Sequence, residues 1–116
     1  MNKVEKEHDA EEIKIRTDVD PGQKYLLLDI TTDERWIVSI HDNYKVGQKA
    51  EDYDVYYDVI STNTDKEIKD SDGHHCLDTF IDEKSVFLIE LDKEEPDVKS
   101  EEIDELAEKT KTLVTG

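Results

Sequence analysis

Read as apolar against polar positions, the chain divides into a polar start, an alternating centre and a helical end. Between Met1 and residue 12 only Val4 and Ala10 are apolar, which predicts a flexible acidic arm over residues 1–11. Ile13 and Ile15 then alternate with polar neighbours. Asp20-Pro21-Gly22 supplies a turn, because proline fixes φ at the first corner and glycine accepts positive φ at the second. The run Tyr25-Leu26-Leu27-Leu28-Asp29-Ile30 is nearly continuous and predicts a strand buried on both faces. In Arg35 to His41, Trp36, Val38 and Ile40 share one face at the two-residue period. These three segments predict a meander.

Residues 42–51 have no strong period and read as a loop. The clearest alternation follows: Tyr53, Val55, Tyr57 and Val59 point one way, and Asp52, Asp54, Tyr56 and Asp58 the other. Turn residues at Asn63–Asp65, Asp70-Ser71-Asp72-Gly73 and Asp82-Glu83-Lys84 then separate a short strand around Ile68, a strand over Leu77–Ile81 and a strand over Ser85–Leu91. Beyond Pro96, Ser100 offers an N-cap. Ile103, Leu106, Ala107, Thr110, Leu113 and Val114 follow at helical spacing, with acids in the first turn and lysines toward the end. The expected fold is mainly β within the α+β class. It is a small antiparallel β-sandwich or partly open β-barrel of six or seven strands, over residues 12–92. A linker and one amphipathic C-terminal α-helix, residues 93–116, are expected to pack on it.

Charge changes this picture most. The 116 residues carry 32 acidic and 15 basic side chains, a net of −17, and every stretch of the chain shares in the excess. Such a field repels nucleic acid and anionic membrane and steers the protein toward basic surfaces. Thirteen of the basic residues are lysine and only Arg16 and Arg35 are arginine, a balance that argues against a salt-loving surface. Cys76 is the only cysteine, so no intramolecular disulfide forms and a reducing compartment is expected. With no apolar leader or membrane-length run, the expected location is the cytoplasm.

Asp52, Asp54 and Asp58 repeat at about 6.6 Å along one strand face, with Tyr56 among them, and a rigid carboxylate row of this kind imitates phosphates. Asp70, Asp72, Asp78 and Asp82 extend the candidate partner-binding set. His74-His75-Cys76 offers two ligands on one strand face, short of the three or four a zinc site needs, and His41 would have to complete it. Asp70-Ser71-Asp72-Gly73 is no EF-hand, since Ile68 and Thr79 occupy the first and last ligand positions. No nucleophile elbow or phosphate-cradling glycine loop is present, so neither enzyme activity nor a cofactor is expected.

This small, evenly acidic, cofactor-free profile resembles, as a class, proteins that mimic nucleic acid and block nucleic-acid-binding enzymes, many of them encoded by phages. The resemblance implies an inhibitor whose partner is the basic groove of a host nuclease, restriction, CRISPR-type or transcription component. Two alternatives stand beside it. One is an accessory subunit of a larger assembly, contacting through strand edges or through helix residues such as Leu106 and Leu113. The other is a divalent-metal domain centred on His41, His74 and Cys76.

Overall fold

The computed structural model describes residues 13–42, 47–50, 55–92 and 97–115. Within them lie six strands, β1 (Ile15–Arg16), β2 (Lys24–Asp29), β3 (Glu34–Ile40), β4 (Gln48–Ala50), β5 (Val55–Thr62) and β6 (Val86–Glu90). Two helices accompany them, α1 (Leu77–Glu83) and α2 (Glu101–Thr115). The strands form a single antiparallel sheet in the order β1-β6-β2-β3-β5-β4, with β1 only a two-residue edge. The described residues contain neither a second sheet nor a closed barrel. Where a sandwich would place another sheet, a helix covers each face.

The strand period decides which residues meet which helix. Tyr25, Leu27, Trp36, Val38, Ile40, Tyr57 and Leu88 form one core layer with Leu77 and Phe80 of α1. The alternate residues Leu26, Leu28, Ile37 and Ile89 form the other, with Ile103 and Ala107 of α2. β2 is thus buried on both sides along its centre, as its unbroken apolar run predicts. At Ile37/Val38 the β3–β5 register shifts, and Ile60, the residue skipped on β5, is left half exposed.

The Asp20-Pro21-Gly22 turn forms as expected, with Gly22 at φ +79° and the Gln23 N–H bonded to the Asp20 carbonyl at 3.3 Å. Ser100 caps α2 through its Oγ, 3.2 Å from the Ile103 nitrogen. Four local expectations fail. β6 inserts between β1 and β2, so the first strand pairs with a segment about 74 residues away rather than with its neighbour, and no three-stranded meander forms. Residues 77–81 are helix, not strand, because Leu77, Phe80 and Ile81 fall at i, i+3 and i+4 and place one stripe on the sheet. Nothing strand-like forms around Ile68, while β4 occupies part of the expected loop. The expected arm over residues 1–11 lies outside the described residues.

Tyr57 stands out in the first core layer. Its ring is fully buried, its hydroxyl has no hydrogen-bond partner among the described residues, and burial pushes its pKa up. Removing an unsatisfied buried donor without opening much space costs nothing and restores its desolvation loss. Tyr57→Phe is therefore expected to raise unfolding free energy by about 1 kcal/mol. Urea melts of the two proteins check this; a loss of stability would mean that the hydroxyl is satisfied.

Candidate partner-binding surfaces

Because Tyr57 points into the α1 layer, its neighbours Tyr56 and Asp58 point to the face that carries α2. There Asp58 does not stand free. Its Oδ2 lies 2.6 Å from Nε2 of His41, whose side chain is 12% exposed against 55% for the aspartate. The imidazole also stacks on Tyr56, with ring centres 6.5 Å apart and planes 27° from parallel. Gly47 makes the cluster possible. At φ +103°, a Cβ there would sit 2.6 Å from the Tyr57 carbonyl oxygen and 2.8 Å from both Asp58 Oδ1 and His41 Cε1. Asp52 and Asp54 lie outside the described residues.

The other four predicted site residues sit with α1, across the sheet. Asp70 is a loop staple: its side chain is 10% exposed, and Oδ1 accepts N–H groups of Asp72 and His74 at 2.9 Å each. The backbone N–H donors, His74 first, hold its carboxyl below the usual aspartate range. Asp72 is exposed. Asp78, in the first turn of α1, lies beside a cleft of about 430 Å³ lined by Val19, Val55, Ile81 and Leu88. Asp82, one turn further on, is exposed. The sheet therefore separates the six described predicted residues, with Tyr56 and Asp58 on one face and Asp70, Asp72, Asp78 and Asp82 on the other.

His41, His74 and Cys76 do not converge either. Cys76 is buried at the N-cap position of α1 with Sγ 3.0 Å from Thr79 Oγ1, and His41 sits on the far face with Asp58. The strand that would have aligned His74 with Cys76 is absent. Among the described residues, the one group of three donors able to share a cation is Asp70, Asp72 and His74.

Helix α2 holds the acids that sequence reasoning passed over. Ile103, Ala107 and Thr110 are buried, which leaves Glu101, Glu102, Glu105 and Glu108 exposed. From sequence, Glu101, Glu102 and Glu105 read as partners of the helix dipole, and Glu108 has no reading. The signal was available, since they are the positions outside the apolar stripe. Arg35, on the α2 side of β3 and 8% exposed, donates to Asp104 and, at 3.1 Å, to Asp33. Lys111 reaches the same Asp33 at 2.9 Å and Glu108 at 3.4 Å. The start of this segment is tied to β5, where Ser61 Oγ accepts the Val98 N–H at 3.0 Å. Ser61 and Asp58 are three positions apart, but the bulge at Ile60 sets them opposite Ile37 and Ser39, so they share one face about 7 Å apart. The first turn of α2 thus shares its face of the molecule with Tyr56 and Asp58.

Among the described residues no helix is long and apolar enough to cross a membrane. The chain matches no protein-family model, and no curated protein or solved structure is significantly similar to it.

Proposed function

We propose that this chain is a non-enzymatic acidic binding protein that occupies the basic groove of a nucleic-acid-binding enzyme, as phage-encoded inhibitors of host nucleases, restriction, CRISPR-type or transcription components do. The observation that carries this reading is the carboxylate row at the start of α2. Glu101, Glu102 and Glu105 are exposed on a helix whose buried stripe and Arg35–Asp104 contact fix it to the sheet. These three charges span about 6 Å of helix axis, a mean spacing of about 3 Å, close to the about 3.4 Å between phosphates along one strand of duplex DNA. Rigidity matters because a fixed row needs little ordering when a groove closes on it. Tyr56 and Asp58 on the same face extend the surface, and Asp72 and Asp82 add charge on the opposite side.

The test uses the tagged full chain as bait in a bacterial lysate, eluted along a salt gradient with and without competing duplex DNA. Beside it runs a Glu101→Gln/Glu102→Gln/Glu105→Gln variant, which keeps good helix formers at all three positions. The expected result is a nucleic-acid-binding protein released at moderate salt, displaced by DNA, and captured at least tenfold less by the variant. Capture that survives high salt, DNA and the triple substitution would overturn the reading.

Two exposed apolar side chains favour a second reading, an accessory subunit of an assembly. Ile60 at the β5 bulge is 50% exposed and Leu113 on α2 is 58% exposed. Leu106, by contrast, packs on the core. In that reading Leu113→Ser, not the triple glutamine change, weakens the capture.

A further inference from the structure

We propose that Asp70, Asp72 and His74 form a binding site for one divalent cation of the zinc class, a site independent of the carboxylate row on α2. One donor atom from each residue lies within 4.8 Å of the other two. Asp70 Oδ2 and His74 Nδ1 are 3.8 Å apart, too far for a hydrogen bond. A cation bonded at about 2.1 Å to both would subtend an angle of about 130° there, between tetrahedral and trans geometry.

The sequence explains why these atoms converge. Ligands at positions 70, 72 and 74 alternate along a loop that Gly73 turns back at φ +93°. Asp70 is nine-tenths buried, and the N–H groups of Asp72 and His74 both use its Oδ1, which leaves Oδ2 facing the imidazole. The neighbouring Ser71 N–H is held at 3.0 Å by Glu83 Oε1 at the end of α1, so the loop is fixed to the helix that follows it. Asp72 and the His74 side chain are exposed, the latter 57%, so a cation reaches the donors without unfolding.

The imidazole decides the class of cation. Calcium and magnesium take oxygen ligands, and in a chain with 32 acidic residues they would spread over many carboxylates. One nitrogen and two carboxylate oxygens suit zinc, cobalt(II) or nickel(II), with water completing the coordination. The failed EF-hand pattern agrees, because this loop lacks that motif's terminal acidic ligands.

Cobalt(II) chloride titrated into the full, chelator-dialysed chain tests the site, with millimolar magnesium present to occupy the diffuse acidic surface. The expected result is a visible d–d band saturating at one equivalent and abolished by zinc chloride. His74→Ala and Asp72→Asn should each weaken binding at least tenfold while melting like the parent in chelator, since both side chains are exposed. Binding of several equivalents, loss in magnesium, or an unchanged affinity in His74→Ala would overturn the proposal.

Discussion

Trp36→Ala is expected to lower unfolding free energy by about 3–5 kcal/mol, against the 5–15 kcal/mol that holds a typical domain together. Trp36 is the single tryptophan and is 2% exposed. Its place in the fold makes the loss more than a cavity. The indole stands edge-on to Phe80 of α1, with centroids 5.3 Å apart and planes at 90°, and its Nε1 donates to the Lys66 carbonyl at 3.1 Å. One side chain on β3 therefore ties down both the irregular segment after β5 and the short helix that carries the chain to β6. Without it, the crossover loses an anchor on the sheet beside those of Ile68 and Leu77, and α1, only seven residues long, cannot hold its shape alone. Circular dichroism through a urea melt checks the loss. Trp36→Phe, which keeps a ring for Phe80 but strands the Lys66 carbonyl, should fall between parent and alanine. An alanine variant melting within 1 kcal/mol of the parent would show that α1 and its approach are held elsewhere.

That anchoring also explains what the sequence could and could not disclose. The pattern in β3 and β5 was legible because Trp36, Val38, Ile40 and Tyr57 are buried on one face, which prints a two-residue period, and that in β2 because burial on both faces prints an unbroken run of leucines. α2 was legible for the corresponding reason at 3.6 residues. α1 was misread although Leu77, Phe80 and Ile81 have helical spacing, because the turn residues before it suggested another hairpin. The place of β6 between β1 and β2 could not be read at all. Ile15 pairs with Ile89 and Leu26 with the same Ile89, a choice made by distant surfaces and not by either segment's own pattern. The candidate site suffered from the same limit. Periodicity placed Asp58 outward, but only the fold brings His41 to it, sends α1 to the opposite face and puts the glutamates of α2 beside β5. Charge abundance was plain from composition; which charges remain unpaired was not.

Arg35→Ala is the second large effect, an expected loss of about 2 kcal/mol concentrated in the docking of α2. Breaking a fully buried pair costs about 3–5 kcal/mol, but Asp104 and Asp33 are 57% and 48% exposed, so water offsets part of that loss. What remains is specific. Arg35 fills the α2 side of β3 between Ile37 and the hairpin turn, and its removal leaves Lys111 as the remaining counter-charge at Asp33 among the described residues. The pH dependence carries the signature. Although partial burial pushes the other way, hydrogen bonds from Lys111 and Arg35 hold the Asp33 carboxyl below its usual range. A depressed carboxyl stabilises the fold above the ordinary aspartate range and loses that contribution as pH falls through its folded value. The parent should therefore lose α2 protection on acidification, and Arg35→Ala should have lost part of it already at neutral pH. Amide hydrogen exchange at Ile103 and Ala107 reads this directly, with Leu27 and Val38 in the sheet as internal controls. If the helix amides of the variant remain as protected as those of the parent, apolar packing alone seats α2, and the carboxylate row it presents owes nothing to the arginine beneath it.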